Sequence, residues 1–204
     1  SLNGFRELTA RVRARAGDVT AVVGQIAEAA SARAIPIASH DDETPAMREQ
    51  YRKLGSRICE FPVDAVTAES AIGEGSHVVL GSPNVVRGGS HAKRMTAMEA
   101  IRGGVCTVLA SDYYYPSMLH SVYRLAREGV LPLAGAWRLV AQNAADAVGL
   151  ADRGTLAPGL RADIVAVDDR DPALPSAVLT LCGGRPVFVS EPALAAVAAE
   201  AGVM

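Results

Sequence analysis

Asp112 is the residue in this sequence best placed to do chemistry. It follows the apolar run VCTVLA (105–110) and precedes three consecutive tyrosines. A carboxylate at the C-terminal end of a strand can ligate a divalent cation and accept a proton from cation-bound water, whose pKa falls to about 7 on zinc. The competing role is to cap the helix that starts near Pro116. His40, Asp41 and Asp42 place an imidazole and two carboxylates within three residues at the end of another apolar run. Imidazole and carboxylate donors suit zinc, iron or manganese. His40 is read as a ligand, while Asp41 and Asp42 stay divided between supporting it and capping the Thr44-Pro45 helix start. Glu60 ends a third such run, where it could be a further ligand, bind a sugar hydroxyl, or pair with an arginine.

A second group has the chemistry of an anion site. Asn84, Arg87, Gly88, Gly89, Ser90 and His91 form a glycine-containing run, with Lys93 just beyond. Glycines let backbone N–H groups converge, and arginine offers a bidentate fork for phosphate. Lys93 and Arg94 are expected at the start of the next helix, whose N-terminal dipole favours anions. Tyr113 is expected to line the same pocket. His77 begins its strand, His120 sits within a helix, and Trp137 reads as core; none is given a role.

Positioning these groups requires alternating elements. Asp18 is expected to cap a helix whose apolar residues recur at helical spacing. Short strands are expected at 34–38, 57–61, 77–80 and 105–110. Helices are expected from Thr44-Pro45 toward Leu54, over 64–74, 93–102, 116–126 and 134–148, with a loop over 84–91. Strands alternating with helices mean βα units on a parallel sheet. Each strand ends in chemically capable residues, and in a (β/α) barrel the active site is built at the strands' C-terminal ends. A full barrel takes about 250 residues and eight units, whereas about four units occur here. The fold class is therefore α/β, half of a (β/α)8 TIM-type barrel over 1–150, with a small β appendage over 151–190. Gly183-Gly184 marks a hairpin in the appendage, and 191–204 reads as a terminal helix or tail.

Composition narrows the class. The 204 residues are half hydrophobic with a net charge of −2, which argues against nucleic-acid or membrane-surface partners. No apolar run nears the roughly 20 residues that span a bilayer. Cys59, Cys106 and Cys182 are odd in number and far apart, which favours three buried thiols in a cytoplasmic protein over disulfides or a zinc ribbon.

The segment NAADAVGL (143–150), followed by RGTLAPGLRADIVAV (153–167), resembles the closing segment of amidohydrolase-superfamily enzymes. That resemblance implies the C-terminal half of the barrel, a β-sandwich appendage, and Asp112 as the strand-eight aspartate that touches the metal. Within the superfamily, ASHDDET (38–44), EFP (60–62), GSPNVVRGGSH (81–91) and SDYYYPSML (111–119) resemble the phosphonate-metabolism PhnM family. The resemblance implies a metal-dependent diphosphatase acting on ribose 1-methylphosphonate 5-triphosphate, with a divalent metal (zinc first, manganese or iron otherwise) as cofactor. Two features depart from the pattern. The superfamily's H-x-H motif and bridging lysine are not in this chain, and Ala92-Lys93-Arg94 follows His91. The alternatives are an amidohydrolase cleaving C–N bonds of cyclic amides or imines, and a catalytically incomplete half that pairs with another chain. Open strand edges in half a barrel invite pairing, so a homo-oligomer is expected.

Overall fold

The structure, a computed structural model, describes residues 2–14, 16–88, 95–191 and 193. Two helices, α1 (Leu2–Ala14) and α2 (Ala16–Ser31), come first. Helix α2 starts two residues before Asp18, so this aspartate lies inside the helix and not at its cap. Then follow β1 (Ala38–His40), α3 (Pro45–Lys53), β2 (Ile58–Glu60), α4 (Ala65–Gly73), β3 (His77–Gly81), α5 (Ser82–Arg87), α6 (Ala97–Arg102) and β4 (Val108–Ala110). The four strands pair in the order β1-β2-β3-β4, every pair parallel.

Local chemistry explains the helix starts. The Thr44 side chain accepts from the Met47 N–H at 3.2 Å and Pro45 follows it, a favourable first turn. Asp64 caps α4 by accepting from the Thr67 N–H at 2.8 Å. Thr96 and Glu99 form a capping box at α6. That helix thus starts at Ala97 and not near residue 93.

Alternation along the strands divides their side chains between two layers. Cys59 and Val78 pack with Ala68 and Ala71 of α4. Leu80 and Leu109 enter the larger core with Val85, Met98, Ile101 and residues of two helices beyond β4. On the opposite face, Ile58, Val79 and Val108 form a separate cluster joined by Ala110, Ala144 and Ala147. Because neighbouring strands are in register, His40 and Glu60 lie on the same face as this last cluster, level with Val79 and Val108.

Helix α7 (Ser117–Arg127) matches expectation. The helix expected over 134–148 is instead two, α8 (Leu133–Val140) and α9 (Gln142–Ala147), because Ala141 leaves helical geometry at φ −128°, ψ −83°. The break turns α9 so that Ala144 and Ala147 reach the sheet, while the Asn143 side chain donates to the Thr107 carbonyl at 2.8 Å. A separate antiparallel sheet follows: β5 (Ile164–Asp168), β6 (Ser176–Cys182) and β7 (Arg185–Val189). The turn at Gly183 and Gly184, both at positive φ, joins the last two strands. Tyr123 of α7 ties this sheet to the larger body by donating to Asp169 at 3.2 Å.

The first strand also differs from expectation: it begins at Ala38 and carries His40 within it. Cys59 and Cys106 are buried, but Cys182 is exposed on β6, so only two of the three thiols are core residues. The terminal helix expected over 191–204 falls almost entirely outside the described residues. No helix among the described residues is long and apolar enough to cross a membrane.

Candidate active site

The C-terminal ends of β1 to β4 form one edge, and the backbone there is unusual. Asp41, Phe61 and Asp112 follow β1, β2 and β4, and all three have positive φ, at 56°, 53° and 50°. The left-handed region costs a non-glycine residue roughly 1–2 kcal/mol, and such residues cluster where function holds them. Three of the four non-glycine residues with positive φ among those described lie at this edge. Two of the three turns are fixed by the neighbouring strand: the Asp41 N–H donates to the Glu60 carbonyl at 2.9 Å, and the Phe61 N–H to the Val79 carbonyl at 3.0 Å.

These turns place the predicted ligands. His40 Nε2 lies 3.9 Å from Glu60 Oε2, and His40 Nδ1 lies 3.3 Å from Asp41 Oδ2. Among the described residues Glu60 thus pairs with His40 and not with an arginine. Two donors bound to one zinc ion at roughly 2.0–2.2 Å each are at most about 4.3 Å apart, so the His40 and Glu60 side chains fit the ends of a shared cation. Both are open to solvent, at 58% and 34% side-chain exposure, so an ion could reach them. Phe61 packs edge-on against His40, ring centroids 5.4 Å apart. A Cβ at Gly81 would lie 3.4 Å from both Asp112 Oδ2 and Phe61 Cε1, so glycine there lets both side chains lie close against the end of β3. Asp112 stands on the same edge as the pair, and no three such donors converge into a cage among the described residues. Asp112 does not cap α7 either; that helix begins five residues later, and Asp112 occupies an exposed turn closed by Tyr114 N–H to Ser111 carbonyl at 3.1 Å.

The anion-site residues are arranged differently from expectation. Residues 82–87 form α5 and not a loop, because Pro83 suits a first turn and Gly88, at φ 75°, ends the helix in left-handed geometry. The positive φ favours glycine there; a Cβ would also come 2.8 Å from Arg124 Nη2, a side-chain end that can shift. The helix brings together Asn84, Arg87 and Tyr113. Arg87 Nη2 donates to Asn84 Oδ1 at 3.0 Å, and its guanidinium lies 5.6 Å from the centre of the Tyr113 ring. Tyr113 is 67% exposed. Gly89, Ser90, His91 and Lys93 lie outside the described residues.

Two serines missed by sequence reasoning anchor this rim. Ser82 and Ser117 share a 2.6 Å hydroxyl contact, and Ser117 Oγ donates to the Tyr114 carbonyl at 2.5 Å. They tie the start of α5 to the turn after Asp112. The signal was a serine following each of the two strand-end segments. Asp42 is likewise not a cap: it is fully buried against Arg48, 3.1 Å from its Nη1. His77 and Trp137 fit their unassigned status, the first 3.3 Å from the Thr107 hydroxyl at the far end of its strand, the second packed on the larger core. A cavity of about 430 Å³ opens away from the strand ends, bordered by Tyr123, Trp137, Leu156 and Ile164; its carboxylate, Asp163, is engaged by Arg161 at 2.8 Å.

The chain is similar to several known proteins. The model of the amidohydrolase family matches residues 90–188. The chain is 41% identical over 148 residues to alpha-D-ribose 1-methylphosphonate 5-triphosphate diphosphatase of Escherichia coli (strain K12), covering 72% of this chain and 39% of that protein. It is 53% identical over 68 residues to an adenine deaminase of Methylobacterium sp. (strain 4-46), covering 33% of this chain and 11% of that protein. Among solved structures, N-acetylglucosamine-6-phosphate deacetylase from Thermotoga maritima superposes with a TM-score of 0.60 at 16% identity, over 81% of this chain and 56% of that one. The ochratoxinase of A. niger gives a TM-score of 0.60 at 18% identity, over 82% and 45%. The chain thus spans about two fifths of the diphosphatase's length.

Proposed function

The chain belongs to the amidohydrolase family, and on that premise we propose that it forms the C-terminal half of a (β/α)8 barrel hydrolase cleaving a phosphoanhydride. The substrate would be alpha-D-ribose 1-methylphosphonate 5-triphosphate, and diphosphate the product released. The observation that supports this reading is the shared edge: His40, Glu60 and Asp112 at strand ends, with Asn84, Arg87 and Tyr113 beside them. It is strengthened by the 41% identity to a diphosphatase across most of the chain.

His40 and Glu60 would hold a divalent cation, of which zinc, manganese and iron all accept an imidazole and a carboxylate. Such a cation, when bound, lowers the pKa of a water and polarises a phosphoryl oxygen. Asp112, exposed and acceptor-only when ionised, takes the proton of the attacking water. Arg87, already oriented by Asn84, balances charge on the phosphates. The fold over 1–150 is read as one barrel half and 151–190 as a β appendage. Strand β1 has no partner on its other side among the described residues, so we also expect self-association, which a single monomer species in sedimentation would contradict.

The second reading is deamination, favoured by the 53% identity to an adenine deaminase over 68 residues. A neutral base needs no cationic clamp, so Arg87→Ala separates the two. Phosphoanhydride hydrolysis should fall at least about tenfold, the loss of one charge-assisted hydrogen bond of roughly 1.5–3 kcal/mol; unchanged turnover rules against the diphosphatase reading.

A further inference from the structure

Behind His40 lies a sealed ionic cluster that no step above uses. Arg48 of α3 and Asp42 are both fully buried, Nη1 and Oδ2 3.1 Å apart. Asp42 Oδ2 also accepts from the Ser39 hydroxyl at 2.8 Å and the Cys59 thiol at 3.2 Å. Arg48 Nη1 donates to Ser39 Oγ at 2.6 Å, and Nη2 to the Ser56 carbonyl at 2.5 Å. The Asp42 carbonyl accepts from the Val63 N–H at 3.0 Å. The two residues that flank His40 and Asp41, namely Ser39 and Asp42, are therefore both held by one guanidinium and by β2.

Stability alone is a weak reason for such a cluster. Buried ion pairs are often replaced by apolar residues without loss of stability, and here Asp42 Oδ1 and Arg48 Nε are buried with no hydrogen-bond partner among the described residues. The cluster does secure a geometry: between its two anchors the chain makes the left-handed turn at Asp41 and presents His40 to Glu60. We propose that the Arg48–Asp42 pair is a positioning device that fixes the orientation of the His40 imidazole by gripping Ser39 and Asp42 on either side of it. Its consequence for cation binding rests on the reading of His40 as a ligand, but the orientation itself does not.

The test uses the double variant Asp42→Leu/Arg48→Met, which removes both charges and so leaves neither unpaired in the core. His40 is followed by its ring resonances in NMR without added metal, and zinc affinity is measured by calorimetry. The double variant should melt no lower than the parent, yet its His40 resonances should move toward those of a free histidine, and zinc affinity should fall about 10–100-fold, as for other groups that orient a ligand. A folded double variant with unchanged His40 resonances overturns the proposal. If the double variant does not fold, Ser39→Ala removes the one hydroxyl that touches both charged groups, and the same resonances decide in either direction. A parent chain that binds no zinc would count against the metal reading, while the His40 resonances still decide the positioning role.

Discussion

His40 and Glu60 face each other across β1 and β2, imidazole and carboxylate 3.9 Å apart, because they are direct register partners in a parallel pair. Sequence separation of 20 residues disappears into one rung of the sheet. If the two share a cation, Glu60→Gln should weaken zinc binding at least about tenfold, while partial exposure keeps the stability change within about 0.5 kcal/mol. Calorimetric titration and a thermal melt on the same sample check both halves of that expectation.

Asp112 holds a conformation its side chain disfavours, at φ 50°. Asp112→Gly relieves about 1 kcal/mol of that strain, offset in part by the added freedom of the unfolded chain. The variant should melt at or slightly above the parent temperature while losing turnover by about a hundredfold or more, the lower end of what a general base contributes. A variant that is markedly less stable would show that Asp112 is held there by structural need.

Much of this site could be read from residue order. The four strand-end clusters lie where apolar runs stop, while the register that aligns His40 with Glu60 is seen only in the structure. What escaped was set by tertiary contacts. Arg48 lies in the polar helix PAMREQYRK, and nothing local shows that its guanidinium is buried; only the approach of Ser39, Asp42 and Ser56 from other elements makes that tolerable. Residues 84–87 carry no strong helical period, and the short helix α5 depends on Pro83 before it and Gly88 after it. The break at Ala141 is likewise set by packing, since Asn143 turns toward Thr107 just before β4 and Ala144 toward the sheet face that carries Ile58, Val79 and Val108. Cys182 looked buried because its strand is apolar, yet its neighbours in a three-stranded sheet leave it exposed.

Gly154 explains part of the RGTLAPG segment in physical terms. It sits at φ 94°, and a Cβ there would be 2.9 Å from Ala145 Cβ and 3.0 Å from Gln142 Cα. Neither neighbour is a flexible side-chain end, so Gly154→Ala combines overpacking with backbone strain and should cost about 2–4 kcal/mol. Gly159, at φ 88° with open space around it, supplies the control: alanine there should cost only about 1 kcal/mol. Denaturant unfolding of the two variants measures the difference.

Thiol chemistry tests the core. Burial, reinforced by the hydrogen bond to Asp42, pushes the Cys59 thiol up to about 12, and burial pushes Cys106 up to about 12. At pH 8 an aromatic disulfide reagent should modify Cys182 alone in the native chain and all three thiols in denaturant. Both raised thiols hold their protons more tightly when folded. Their contribution to stability is therefore complete below roughly pH 8.5, the ordinary thiol value, and is lost as pH rises toward about 12.

The most direct test is product identity. The whole translated protein, loaded with zinc, is given alpha-D-ribose 1-methylphosphonate 5-triphosphate in one reaction and adenine in another, with diphosphate and ammonia measured. Diphosphate without ammonia, lost in the Asp112→Asn variant, is the expected result. Ammonia from adenine, or zinc-loaded protein that leaves the triphosphate intact, would contradict the assignment of His40, Glu60 and Asp112 to phosphoanhydride hydrolysis.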